Sequence, residues 1–217
     1  MKIDFVSDIA CPWCAVGLNA LERALENIGD EIPVELHFQP FELNPTMAAV
    51  GADTVAYLSD KYGISAQQIA QNQAAIRDRG AAVGFVFGQR TRVWNTFDAH
   101  RLLHWAGLES EQRGQHRDHQ RALKHALLKA YHGDGRNPGA HDVLVELAGA
   151  VGLDPQRAAA ILASDEFSAE VRAAQAVWQQ AGITSVPSVI VNDRHLIQGG
   201  QPPEVFERAL RQIAAAG

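Results

Sequence analysis

The chain of 217 residues has only two cysteines, Cys11 and Cys14. An all-cysteine zinc site needs four thiolates, so none can form within one chain. Long apolar runs are also missing: no stretch approaches the ~18 residues of a membrane span, and no membrane partner is expected. Positive charge is in deficit, with 19 Lys and Arg against 25 Asp and Glu and a net charge of -6. That balance favours solubility and argues against a general nucleic-acid-binding surface. Internal repeats and low-complexity linkers are absent. The N-terminus, Met1-Lys2-Ile3-Asp4, runs directly into a strand-like segment without the apolar stretch and small-residue cleavage site of a secretory signal. The expected compartment is therefore the cytoplasm, where an isolated cysteine pair is more often catalytic than structural. What remains is an ordinary globular composition, 47% apolar, on a chain long enough to bury a sizeable core.

The two cysteines are spaced as Cys11-Pro12-Trp13-Cys14. Their setting is more informative than the motif. An apolar strand, Ile3-Asp4-Phe5-Val6, leads through Ser7-Asp8-Ile9-Ala10 into the pair, and a helical pattern follows at Leu18, Leu21, Leu25 and Ile28. Strand, C-x-x-C and helix in this order form the local setting of a thioredoxin-type redox centre. Pro12 suits the first helical position, where its missing N–H would be unpaired anyway. Cys11 then falls at the N-cap, its sulfur near unpaired N–H groups and the positive end of the helix dipole. Both favour a thiolate, so its pKa should lie below the ~8.5 of a free thiol. Cys14 shares the helix face, about 5–6 Å away between β-carbons, and a small adjustment permits a disulfide. Cys11 is expected to be the exposed attacking thiol and Cys14 the more buried resolving thiol. An inert structural disulfide is the weaker reading, since so short a loop restricts the unfolded chain little.

A second strand is expected over Val34–Phe38, with Val34, Leu36 and Phe38 on one face, and helix one should stop at Gly29. Two prolines, Pro40 and Pro45, then break the pattern. From about Asp53 to Ala163 the apolar spacing is helical and predicts four to six helices, with one strand-like exception at Gly84-Phe85-Val86-Phe87-Gly88. Gly133 to Gly139 reads as a loop, and Asp154-Pro155 as a helix start. A helix over Glu166–Ala181 precedes a hairpin, Ser188–Val191 and Arg194–Gln198 around Asn192-Asp193, and a closing helix carries Phe206, Leu210 and Ile213. The order is β-α-β, a long helical insertion, then α-β-β-α: an α/β thioredoxin fold with a large all-helical insertion. Residues 1–45 and 166–217 are assigned to the thioredoxin-fold domain and 46–165 to the inserted subdomain. Such a fold calls for a cis proline just before its third strand, and Val186-Pro187 stands there. A cis bond would let Val186 offer its backbone to an extended substrate beside Cys11.

These features, taken with further text, resemble the DsbA-like thioredoxin-fold oxidoreductases, and within them the FrnE-type branch. The matching segments are Asp8-Ile9-Ala10-Cys11-Pro12-Trp13-Cys14, Pro40 to Pro45, Asn95-Thr96, Ala99-His100-Arg101-Leu102, Gly182 to Pro187 and Gly199-Gly200-Gln201. Together they span nearly the whole chain. The resemblance implies dithiol–disulfide exchange, with Cys11 as nucleophile, Cys14 as resolving thiol, and Pro12, Trp13, Val186 and Pro187 flanking the site. It implies no bound cofactor beyond the redox-active pair, glutathione as a candidate co-substrate, protein or low-molecular-weight thiols and disulfides as substrates, and an unspecified redox partner. Strongly oxidising DsbA proteins carry His where this chain has Trp13. An imidazolium there stabilises a thiolate and Trp13 cannot, while Asp8 would oppose one, so a less oxidising centre than DsbA is expected.

Asn95, Thr96, His100 and Arg101 form a polar group expected to face Cys11 from the insertion and select substrates, although Thr96 capping a helix accounts for part of it. His100 and His104 at i, i+4, and His116 and His119 at i, i+3, could each share a helix face. With no H-E-x-x-H and the cysteines on another element, solvated or capping histidines are expected and no metal site. Trp94, Trp105 and Trp178 read as core or interface residues, and Trp13 as exposed beside the sulfur. Two other functional classes compete. Kappa-class glutathione transferases and 2-hydroxychromene-2-carboxylate isomerases share the inserted-helix fold, but typically have Ser at the nucleophile position and lack the second cysteine. A non-enzymatic binder or chaperone is the third class.

Overall fold

A computed structural model describes residues 1–112 and 118–216. Strand β1 (Lys2–Ser7) is central, and a four-stranded sheet is built around it in the order β2-β1-β5-β6. Helix α1 (Pro12–Ile28) carries the chain from β1 to β2 (Glu35–Pro40), which runs parallel to β1. Strand β5 (Ser188–Val191) returns antiparallel on the other side of β1 and pairs with β6 (His195–Gln198). Between them Asn192 and Asp193 adopt positive φ, the conformation a tight hairpin needs and Asn and Asp tolerate. Alternate residues of β1 serve two cores, as the two-residue side-chain period requires. Ile3 and Phe5 pack with Leu18 and Leu21 of α1 and with Phe206 and Leu210 of the last helix, α9 (Pro203–Ala215). Val6 instead joins Phe41, Ile183 and Ile190, with Trp178 against them.

Among the described residues, six helices lie between β2 and the helix that leads back to the sheet: α2 (Thr54–Tyr62), α3 (Ala66–Ala82), α4 (Phe97–Gln112), α5 (His119–Leu128), α6 (His141–Ala150) and α7 (Pro155–Leu162). Their starts follow local chemistry. Asp53, Asp118 and Asp154 each cap a helix with the side chain, and Ser65 with Gln68 makes a capping box on α3. A π-helical turn, Lys129–Gly133, extends α5 into the expected loop. Helix α8 (Ser168–Gln180) then packs against β2 and leads to β5.

Three expectations are corrected. Residues 84–88 form no strand: Phe85 is buried and Phe87 half-buried, while Val86 points outward. That alternation comes from a loop whose Phe87 ring lies on Gly80 and His132, with the Phe85 ring against it, not from pairing with a neighbouring strand. Two short strands, β3 (Ala52–Asp53) and β4 (Arg92–Val93), pair antiparallel inside the insertion and are too short to leave a periodic signal. Strand β2 runs on to Pro40, since an edge strand tolerates a residue without a donor.

Candidate active site

The Cys11–Cys14 pair opens α1, with Cys11 at the N-cap and Pro12 at the first helical position. The Cys14 amide donates to the Cys11 carbonyl at 3.1 Å. The Val186–Pro187 bond is cis, and the Cys11 thiol donates to the Val186 carbonyl at 3.5 Å. Gly17, one turn into α1, permits this approach. A methyl there would lie 2.9 Å from Pro187 Cγ and 3.3 Å from the Gly200 Cα.

The pKa values of the two thiols are displaced in opposite directions. Hydrogen bonding from Cys14, helped by helix N–H groups, holds the Cys11 pKa below that of an ordinary thiol, outweighing burial and repulsion by Asp8. Burial, then the hydrogen bond with Cys11 and its charge, push Cys14 well above the ordinary value. One exposure is corrected: Cys11 is 4% exposed, nearly as covered as Cys14 at 0%. Tyr62 of α2 interacts with the Cys11 sulfur electrostatically, and α3 and residues 87–90 stand beside Pro12, so the insertion shields a thiol that a bare helix N-terminus would expose. Trp13 is the exposed member of the motif, at 36%, with the Arg79 guanidinium 6.0 Å from its ring.

The three carbonyls of the turn before Cys11 and the Ala10 amide are held. The Asp8 carbonyl accepts from the Cys11 amide at 3.3 Å, and the Asp8 carboxylate from the Ala10 amide at 3.0 Å. His132 Nε2 lies 2.8 Å from the Ile9 carbonyl, and Arg90 donates to the Ala10 carbonyl at 3.0 Å. Burial, with Arg90 nearby, depresses the His132 pKa to about 3, so its imidazole is neutral and donates that bond from Nε2. His132 and Arg90 are remote in sequence, and nothing local to either residue marks it.

The carboxylate of Asp8 is fully buried and four donors reach it. Besides Ala10, they are the Leu43 amide at 2.7 Å, Thr96 Oγ1 at 2.8 Å and His100 Nε2 at 3.4 Å. Burial raises its pKa, but the His100 bond and charge and the two amides more than offset this and leave it below the ordinary carboxylate value. The polar group expected to face substrate therefore does something else. Thr96 and His100 are buried and bind Asp8, so substituting them should alter Cys11 through Asp8. Arg101 points away: it is buried, bonding the carbonyls of Ile161, Ser164 and Glu166 and the Asp98 carboxylate. Asn95 joins the Met47 carbonyl to the Phe97 amide at the start of α4. Arginine and histidine in a polar sequence cluster suggest a surface, but here burial with full pairing places them in the frame.

Two other histidines read from the spacing make contacts within the fold. His104 stacks at 5.2 Å on Phe167, His119 Nδ1 lies 3.1 Å from the Val151 carbonyl, and His116 lies outside the described residues.

Lys124 of α5 is buried beneath the pair. Burial pulls its pKa down to about 8, against the attraction of Cys14, Asp8 and Cys11. The folded value lies below the unfolded 10.5, so between these limits the unfolded chain binds more protons and stability rises with pH. Lys124→Met removes the cost of burying the ammonium. It should stabilise the fold by about 1–3 kcal/mol at pH 7, and the gain should vanish as pH rises from 8 towards 10.5. Urea unfolding across that pH range measures it; a variant less stable than the parent at pH 7 would show that the ammonium is a net support.

The sheet, the inserted helices and the thiol pair at a helix N-terminus beside a cis proline define a thioredoxin-type protein. The chain belongs to the DSBA-like thioredoxin domain family, whose model matches residues 2–211, a family of thiol–disulfide oxidoreductases. It is 36% identical to a probable DsbA oxidoreductase from Streptomyces coelicolor, with a TM-score of 0.87 over 98% of this chain and 89% of that one. An uncharacterized Bacillus subtilis protein, YwbO, is 29% identical over 97% of this chain and 96% of its own. The glutathione-bound cytosolic disulfide reductase DsbM from Pseudomonas aeruginosa shares the fold at 16% identity, with a TM-score of 0.65 over 99% of this chain and 100% of that one. No helix among the described residues is long and apolar enough to cross a membrane.

Proposed function

We propose that Cys11 and Cys14 form a thiol–disulfide exchange centre acting on protein or low-molecular-weight disulfides. The observation that carries it is the placement of both cysteines at one helix N-terminus, with Cys11 at the N-cap and its sulfur 3.5 Å from the Val186 carbonyl beside the cis Val186–Pro187 bond. The Cys11 thiolate attacks a substrate disulfide sulfur, forms a mixed disulfide and expels a thiolate. Cys14 then loses its proton and attacks the Cys11 sulfur, closing the protein disulfide and releasing the second thiol. Run backwards, the same steps oxidise a dithiol substrate. Pro12, Trp13, Val186 and Pro187 flank the sulfur, and the Val186 carbonyl faces it. Glutathione is the co-substrate we assign, supported by its presence in the DsbM structure, and the cytoplasm is the proposed compartment. Residues 1–45 with 166–217 are taken as the redox domain and 46–165 as the subdomain that shields it. Full pairing of Asp8, which repels a Cys11 thiolate, and Trp13 in place of a histidinium both favour a reducing poise. Equilibration in glutathione buffers, with the Cys11–Cys14 state read by mass spectrometry, should give a midpoint below the about -120 mV of DsbA. A midpoint at or above that value would assign the protein to the strong oxidants.

A further inference from the structure

The cleft beside Pro12, the residue next to Cys11, is cationic in a protein that is anionic overall. A cavity of about 470 Å³ opens beside Pro12 between α3 and residues 87–90, with Gln73, Arg77, Gln89 and Arg90 supplying its polar walls. Among the described residues no Asp or Glu lines it, although the chain carries a net charge of -6. Arg77 is exposed and, among the described residues, pairs with no carboxylate; neither does Arg90, which is held by the Ala10 carbonyl and lies 5.3 Å from the Tyr131 ring. A third guanidinium, Arg79, sits over Trp13 and donates to the Gly200 carbonyl at 3.3 Å, again without a carboxylate partner among the described residues. Several arginines elsewhere are paired, among them Arg121 with Glu22, Arg136 with Glu146 and Arg211 with Glu31 and Glu207, whereas Arg23 and Arg92 bond backbone carbonyls. Cys11 itself is 4% exposed, which favours a small reactant over a folded protein surface.

We propose that this cavity seats the carboxylates of a small anionic disulfide, making carboxylate-bearing low-molecular-weight disulfides the preferred substrates of Cys11. The inference rests on the thiol–disulfide reading above and names its substrate class. Arg77 and Arg90 hold a carboxylate by charge-assisted hydrogen bonds, leaving the disulfide beside Pro12 for the Cys11 sulfur. The exchange balances as written for the proposed function. Two electrons pass from the protein dithiol to R–S–S–R, one disulfide forms between Cys11 and Cys14, and two thiols RSH leave.

The test uses the reduced full chain and three disulfides: oxidised glutathione (anionic), 2-hydroxyethyl disulfide (neutral) and cystamine (dicationic). Each rate constant is divided by that of the same disulfide with dithiothreitol, which cancels intrinsic leaving-group reactivity. The normalised rate should be about tenfold higher for oxidised glutathione than for the neutral disulfide, the size of one good charge-assisted contact, and lowest for cystamine. The preference should shrink at about 1 M salt, where the Debye length is about 3 Å. Arg77→Gln should bring the ratio towards one, and Arg77→Glu should turn it towards cystamine. Equal normalised rates for the three disulfides, or a preference unchanged in both Arg77 variants, would overturn the proposal while leaving the redox reading intact. Exchange with none of the three would overturn both.

Discussion

Cys11→Ser is expected to abolish disulfide exchange, whereas Cys14→Ser should accumulate mixed disulfides on Cys11. The asymmetry follows from the two pKa displacements. Attack requires a thiolate, and only Cys11 is held below the ordinary thiol value, by the Cys14 hydrogen bond and the helix N–H groups. Cys14 is pushed well above it by burial and by the charge on Cys11, so it attacks only once the neighbouring sulfur is tied up in a mixed disulfide and carries no charge. A hydroxyl at position 14 leaves that intermediate with no internal thiol to resolve it. Mass spectrometry of the purified variants, after incubation with oxidised glutathione, reads the outcome: an adduct on Cys11 in Cys14→Ser and none on Cys14 in Cys11→Ser. Adducts appearing only on Cys14 would reverse the roles. Alkylation with iodoacetamide across pH should show Cys11 of the reduced parent reacting first.

The second large effect belongs to Asp8. Asp8→Asn keeps the shape of the side chain but turns one acceptor into a donor. The amides of Ala10 and Leu43, the Thr96 hydroxyl and His100 all converge on this carboxylate, so at least one buried donor then faces another. A loss of about 3–5 kcal/mol is expected, a large share of the roughly 5–15 kcal/mol that holds a domain. Urea unfolding at pH 7 measures it. The same variant removes a negative charge that opposes the Cys11 thiolate, so the alkylation profile of Cys11 should move to lower pH. An Asp8→Asn protein with parental stability and an unmoved profile would show that this network neither supports the loop nor tunes the sulfur. The acid side carries a matching sign. The folded pKa of Asp8 lies below its unfolded value, so its stabilisation is present above the unfolded pKa and is lost as pH falls through the folded one.

Local chemistry was enough to place much of this protein. A proline at the first helical position, an N-cap cysteine and the strand before it locate the cysteine pair at the start of α1, because helix termini are set by a few neighbouring residues. The fold class followed from the order of periodic segments. Val186-Pro187, 175 residues from Cys11 along the chain, was found from its place ahead of a strand. What sequence text could not supply is the direction in which a polar side chain faces. Thr96, His100 and Arg101 read as a surface because they are polar; in the fold they are buried and paired, two on Asp8 and one on the carbonyls around α7. Phe85 and Phe87 alternate like a strand but pack as a loop, since pairing depends on whether another strand lies alongside.

The environment of the sulfur was decided by tertiary structure alone. Arg90, Lys124 and His132 lie 79, 113 and 121 positions beyond Cys11, and each acts on the site only because the insertion folds over it. Burial and charge decide whether a lysine is a surface cation or a buried one near pKa 8, and whether a histidine titrates or stays neutral. The sequence by itself determined on which helix the cysteine pair sits and which thiol takes the N-cap, since the N-terminus of a helix and a C-x-x-C spacing are local properties. The insertion's packing determined how far Cys11 is covered, which charges surround it and which cleft opens beside Pro12, because desolvation and Coulomb interactions depend on distances that only the folded chain sets.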